Sequence, residues 1–395
     1  MSRDTAAPVS DPTPFEAALD PIALLRDLVA IDSVNPDLVA DAAGEAQIAH
    51  WCAAWLGERG FTVHLLEDVP GRISVVGVYA GSGTGRSLML NGHLDTVGVA
   101  SYIGDPFTAE IRDGKIFGRG TFDMLGGVAA ILVAAAQAAA VGLGGDVIVA
   151  LVADEEFGSI GTQEVLRRFR ADAAIIAEPS GLELTLAHRG FAWFELQLFG
   201  AAAHGSQPER GVDAIGHAGH VLRALEELRT RLNASAPHPS LGHGTVRVSM
   251  ITGGDDAATV AASCTLTLER RMLPGQTPDA VEAELRTLLD GLAETVPDFR
   301  FRLDRLVARA AFEADPEWPV VQALEASVTR VLGSAPARRG EPFWTDAGLV
   351  LEAGIPCLVF GVDGGGAHAD TEWAEVDSVY RLAAALEGTL RDFCA

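Results

Sequence analysis

Three apolar runs in this chain end in histidine or acid: LMLN runs into Gly92-His93-Leu94-Asp95, VIVALVA into Asp154-Glu155-Glu156, and AAIIA into Glu178. Apolar stretches so short and so continuous read as strands buried on both faces. That is the pattern of a largely parallel sheet covered by helices. Polar side chains crowded at the ends of such strands are what a metal site on an α/β sheet requires. Two further residues join the series, Asp123 in GRGTFDMLGG and His368 in GVDGGGAHADTEW.

The rest of the first half alternates accordingly. Residues 21–30, 43–59, 126–140 and 161–170 carry apolar positions at helical spacing. Residues 74–79, 87–90, 146–153 and 173–177 read as strands, so the pattern is α/β with a mixed, largely parallel sheet. The rhythm changes near Arg189. FAWFELQLF, a long helix over 212–232, strands over 244–251 and 263–270, a helix over 278–292 and a strand over 299–306 make a βαββαβ unit of ferredoxin-like size. From Pro316 the α/β pattern resumes with a helix over 316–332, a strand over 357–360 and a helix over 376–393. The expected organisation is therefore a catalytic domain in two parts, 1–188 and 308–395, with an α+β domain inserted over 189–307. A chain of 395 residues is long enough for two cores.

Charge narrows the partners. A net charge of −25 excludes nucleic acid and anionic membrane, which both demand a basic face. The longest apolar candidate, Val128 to Val141, is Ala-rich and reads as a buried helix, and the polar, proline-containing start lacks a signal core. A cytoplasmic protein is expected. Its four cysteines (Cys52, Cys264, Cys357, Cys394) are far apart with no CxxC pair, which argues against zinc–thiolate sites and a disulfide framework.

Each polar residue has an ordinary explanation and a chemical one. His93 and Asp95, two apart on a strand, share a face. The carboxylate can then orient the ring, although a pair in a turn would look the same. Asp123 suits a helix N-cap, yet the glycines around it give more backbone freedom than a cap needs. A carboxylate reaching two cations fits that setting better. Asp154, Glu155 and Glu156 would repel one another unless cations are close. Of the two glutamates one can bind metal while the other stays a general base; Asp154 alone fits a solvated helix start. His368, after three glycines, has exposure as its ordinary reading. Competing classes fare poorly: there is no GxSxG elbow, and Lys115, the only lysine, is followed by Ile116 and sits in a hairpin turn.

The stretches GHLDTV, DGKIFGRGTFDMLGG, ADEEFGS, AEPS, AAAHGSQPERGVDAI, LERRMLPG and GGGAHADTEW together resemble a zinc-dependent family. It is the family of acetylornithine deacetylase, succinyl-diaminopimelate desuccinylase, aminoacylase and glutamate carboxypeptidase, and the likeness runs from about Pro21 to the C-terminus. The resemblance implies two divalent ions, zinc first with cobalt or manganese as alternatives, bridged by Asp123. His93 and Glu178 would complete one, Glu156 and His368 the other. Asp95 would steady His93 and Glu155 would be the base. It further implies that the inserted domain is a dimerisation lid, that His204 reaches the partner subunit's site to stabilise an oxyanion, that Arg271 grips the substrate carboxylate, and that the peptide bond after Asp123 is cis.

The implied activity is deacylation of an N-acyl amino acid by a homodimer joined through 189–307. Glutamate at 178 accompanies deacylases and carboxypeptidases in the wider resemblance, and the alternative is a metallo-carboxypeptidase or dipeptidase acting on short peptides. A binding protein that kept the fold without catalysis is the competing class, and the intact ligand set argues against it. Two departures stand out. Ala258 and Ala261 occupy the places of a family Asn and Pro, and Leu125 replaces a lysine, which removes an expected charge.

Overall fold

The computed structural model describes residues 19–395, which divide into two compact units. The first comprises residues up to 184 with 316–337 and 355–395; the second comprises 185–315 and 338–354.

The first unit is built on a mixed sheet in the order Thr62–Leu66, Ser74–Tyr79, Val147–Val152, Leu88–His93, Ala173–Ile176 and Cys357–Val359. The first two ladders are antiparallel and the last three parallel. Leu88–His93, Val147–Val152 and Ala173–Ile176 are buried at every position, which is why they lack alternation. Register aligns the strand ends: His93 pairs with Val152 and Asn91 with Ile176, so the residues following these strands emerge at one edge. The helix Leu125–Val141 is buried along most of its length and packs on Pro21–Val29 and Val376–Phe393. Its small residues allow close approach; a Cβ at Gly127 would meet the Ala177 carbonyl oxygen at 2.3 Å.

A small second sheet joins distant segments. The hairpin Glu110–Arg112/Lys115–Phe117 turns through Asp113 and Gly114 at φ 50° and 77°, the positive values a two-residue I′ turn needs. Phe117 pairs with Trp373, and Trp373 and Ala374 pair with Gly365 and Gly364. That ties the stretch leading to Asp123 to the stretch around His368.

The second unit has the βαββαβ order, with Gly190–Phe199, Ala214–Ala234, Thr245–Gly253, Ser263–Met272, Pro278–Thr295 and Arg300–Arg309. Its sheet runs Thr245–Gly253, Ser263–Met272, Gly190–Phe199, Arg300–Arg309, antiparallel throughout. Ala192, Phe194, Leu196 and Leu198 alternate inward against Val221, Leu225, Val281 and Leu285. The unit is wider than the insert expected over 189–307, because residues 338–354 return to it. Arg189 N–H donates to the Glu341 carbonyl at 3.2 Å, and Trp344 Nε1 to the Ala310 carbonyl at 3.1 Å. The polar RRGE run of that returning segment carries no strand periodicity. Among the described residues no helix is long and apolar enough to cross a membrane, and the four cysteines are buried and unbridged.

Candidate metal centre

His93, Asp123, Glu155, Glu156, Glu178 and His368 meet at the carboxyl edge of the first unit's sheet. Asp123 stands between two groups of side chains. Its Oδ1 lies 3.2 Å from His93 Nε2, which is itself 3.6 Å from Glu178 Oε1. Its Oδ2 lies 3.4 Å from His368 Nε2, which is 3.0 Å from Glu156 Oε2. Ligand atoms of His93, Glu155 and Glu178 also fall within 4.8 Å of one another.

The donor set fits divalent cations. Two donors ~2.0–2.1 Å from one tetrahedral zinc would lie ~3.3 Å apart, close to these separations. Glu156 Oε1 is buried with no hydrogen-bond partner, a costly state for a carboxylate oxygen unless a cation faces it. Asp123 is not the helix cap its sequence position allows. The N-cap is Met124, whose side chain makes no capping bond, and the Asp123–Met124 peptide bond is cis.

The electrostatics follow from crowding. Burial disfavours a charged His93 ring, but Glu178, the hydrogen bond to Asp123, and the Asp95 and Glu155 charges outweigh it and raise its pKa well above the ordinary value. Hydrogen bonds to Asp123 and Glu156 raise His368 to about 10. Burial, reinforced by the Asp123 charge, pushes Glu156 up to about 7. Burial works against the Asp123 carboxylate too, yet the two histidines hold it far below the usual range. A cation would have to displace the histidine protons, since ligands bind deprotonated.

Asp95 does something other than the strand rule suggests. The strand ends at His93, so the two side chains no longer alternate on one pleat. His93 Nδ1 meets the Asp95 backbone carbonyl at 2.8 Å, and the carboxylate is 3.8 Å away. That carboxylate instead accepts the N–H groups of Glu155 and Glu156, both at 3.1 Å, and Asn35 Nδ2 at 2.8 Å.

The supporting network was not visible in the sequence. Asn35 also donates to Asp154 at 3.1 Å. Asp154 is buried, at φ 69°, and its carboxylate takes Arg72 Nη2 at 2.8 Å, so it is no solvated helix-start acid. Arg72 grips Glu45 through Nε and Nη2 at 2.9 and 2.7 Å, and pairs with Asp37. Asn35, Glu45 and Arg72 thus fix the turn that carries Glu155 and Glu156. Leu125, which stands where the resemblance has a lysine, is buried.

His204 and Arg271 belong to the second unit. His204 is exposed, and its Nδ1 accepts the Ser206 N–H at 3.2 Å, which leaves the proton of a neutral ring on Nε2. Ala258 lies beside it: its carbonyl accepts the Gly205 N–H at 2.6 Å, and Thr259 bridges to His204. Arg271 lies over Phe191 at 5.4 Å and pairs with Glu269 at 3.2 Å.

Comparison with known proteins places the chain in a family. The pattern described as Peptidase family M20/M25/M40 matches residues 89–392. The chain is 32% identical over 352 residues to the acetylornithine deacetylase of Proteus mirabilis, spanning 86% of this chain and 88% of that one. It is 30% identical over 367 residues to the N-formyl-4-amino-5-aminomethyl-2-methylpyrimidine deformylase of Bacillus subtilis, spanning 84% and 85%. Among solved structures, aminopeptidase PepT from Bacillus cereus matches with a TM-score of 0.77 at 18% identity, over 96% of this chain and 99% of its own. The metallo-carboxypeptidase Sso-CP2 from Sulfolobus solfataricus gives 0.76 at 19% identity, over 94% and 98%. At such identities the structural likeness speaks to fold alone.

Proposed function

The chain belongs to peptidase family M20/M25/M40 and hydrolyses amide or peptide bonds, and on that premise we propose that it removes the acyl group from an N-acyl amino acid using two divalent cations. One observation carries the reading: the two oxygens of Asp123 face different histidines, each accompanied by a different glutamate. His93, Asp123 and Glu178 would hold one cation, and Asp123, Glu156 and His368 the other. Zinc is the first choice, with cobalt or manganese served by the same imidazole and carboxylate donors.

Cations held there supply Lewis acidity and neutralise developing charge. The chain's own residues do the rest. Glu155, on a turn held through Asp95, takes a proton from the attacking water and passes it to the leaving amine. His204, with its proton on Nε2, is the donor proposed for the oxyanion in the partner subunit. Arg271 is proposed to bind the substrate carboxylate, with Glu269 keeping its guanidinium oriented.

The homodimer is proposed to form through the second unit. Among the described residues its sheet has Thr245–Gly253 as an edge strand, with Met250 and Ile251 exposed. A cytoplasmic setting goes with four unbridged thiols. A metallo-carboxypeptidase or dipeptidase would use the same residues, and the deacylase and deformylase relatives favour deacylation.

The test is a metal-reconstituted screen of N-acetyl, N-succinyl and N-formyl amino acids with dipeptides as controls. Turnover confined to dipeptides would replace deacylation by the peptidase reading. Protein that takes up no zinc, cobalt or manganese, or a Glu155→Ala variant as active as the parent, would remove this site from the reaction. A monomer with full turnover would exclude the trans role of His204.

A further inference from the structure

Glu372 is buried, yet its carboxylate takes four donors. Oε1 accepts the N–H groups of Phe122 and Asp123, both at 2.9 Å. Oε2 accepts Gly120 N–H at 3.1 Å and Arg119 Nη1 at 2.8 Å. The remaining Arg119 terminus, Nη2, reaches the Ala369 carbonyl at 2.9 Å and the Gly98 carbonyl at 3.3 Å. The main chain adds a bond in the same direction, with Gly118 N–H donating to the Glu372 carbonyl at 3.2 Å. The loop ending in Asp123 is thereby stitched to the loop beginning at His368. Its fold needs Gly120, at φ 80° and with Thr96 Cγ2 2.8 Å from where a Cβ would stand.

We infer that Arg119 and Glu372 are a positioning pair that fixes Asp123 relative to His368 and so sets the affinity of the cation those two residues share. The inference rests on the metal reading above. A buried ion pair is weak support for stability as such, because desolvation offsets most of its attraction. What this pair adds is geometry. The planar guanidinium joins a carboxylate on one side to the main chain next to His368 on the other, which a lysine cannot reproduce. The carboxylate holds the main-chain nitrogen of Asp123 itself. Asp123 Oδ2 and His368 Nε2 stand 3.4 Å apart at the far end of this linkage, and ligand constellations tolerate only ~0.5 Å of play.

The experiment is a cobalt titration against a competing chelator on the full-length parent, Glu372→Gln and Arg119→Lys, followed by visible absorption and thermal unfolding. Glu372→Gln is isosteric but turns an NH2 group towards N–H donors. It should weaken one of two cobalt sites by about 10- to 100-fold, the usual cost of losing a ligand's supporting partner, and change the cobalt spectrum of the folded protein. Arg119→Lys should move affinity the same way by less, and it serves if Glu372→Gln does not fold. Variants that bind two cobalt ions with the parent's affinity and spectrum, whatever their Tm, would overturn the positioning role alone. A parent that binds no cobalt would overturn the metal reading and this inference with it.

Discussion

His93 Nδ1 is hydrogen-bonded to the backbone carbonyl of Asp95, while the Asp95 carboxylate stands 3.8 Å off and holds the N–H groups of Glu155 and Glu156. The orientation of the imidazole is thus a main-chain property. The side chain serves the neighbouring turn, which carries one proposed ligand and the proposed base.

This division predicts the phenotype of Asp95→Asn. The amide keeps one acceptor oxygen and sets an NH2 group either against the Glu155 N–H or against the Glu156 N–H and Asn35 Nδ2 together. A buried donor left without a partner costs ~1–3 kcal/mol, so kcat should fall about 10- to 100-fold at ~1.4 kcal/mol per decade. Metal bound through His93 should be retained. Elemental analysis beside kcat and KM checks this, and loss of metal from the variant would return the ring-orienting role to the carboxylate.

Arg72→Met should be among the most destabilising single changes in the first unit. Arg72 is the cation between Glu45, Asp154 and Asp37, and the first two of these acids are buried. Removing one side of a buried pair leaves uncompensated charge and costs ~3–5 kcal/mol. Urea unfolding should show a lower midpoint by that measure. A midpoint matching the parent would mean that the acids are neutralised some other way.

The candidate ligands were open to a reading of the sequence, and what holds them was not. His93, Glu156 and Glu178 were legible because strands buried on both faces must end in polar residues at a shared edge, and Asp123 and His368 through the motifs around them. Arg72 and Asn35 stand in polar loops without periodicity, and only the folded register brings Arg72 to Asp154, 82 positions away. Glu372 lies four residues after His368 in a recognisable stretch, but a carboxylate turned inward onto main-chain N–H groups leaves no pattern to read. The return of residues 338–354 to the second unit was hidden in the same way, because RRGE makes a strand by pairing and not by apolar alternation.

His188 gives the second unit an acid-sensitive element. The ring is buried, 5.2 Å from Phe312 and 6.1 Å from Trp344, with Nδ1 3.1 Å from the Arg189 carbonyl. Burial pushes its pKa down to about 4. The unfolded chain takes up that proton near ~6.5, so its contribution is level above that pH, declines as pH falls from about 6.5 to about 4, and levels off below. At ~1.4 kcal/mol per pKa unit the loss is on the order of 3 kcal/mol. His188→Phe should flatten this part of the profile. Calorimetric Tm values at pH 7 and pH 4.5 for both proteins test it, and equal drops in parent and variant would assign the acid sensitivity elsewhere.

Asp123→Asn separates the two halves of the candidate centre. Its carboxylate oxygens lie 3.2 Å from His93 Nε2 and 3.4 Å from His368 Nε2, one to each side. A carboxamide has one oxygen, and its NH2 end donates hydrogen bonds and cannot ligate a cation. The variant should therefore bind one equivalent of metal where the parent binds two, on whichever side the amide oxygen turns to, and kcat should collapse. The fold should survive, because Glu372 holds the backbone nitrogen of residue 123 and not its side chain. Elemental analysis and thermal unfolding together give the answer. Two equivalents of metal in a well-folded Asp123→Asn protein would show that the cations do not share this residue, and the bridged arrangement would have to be abandoned.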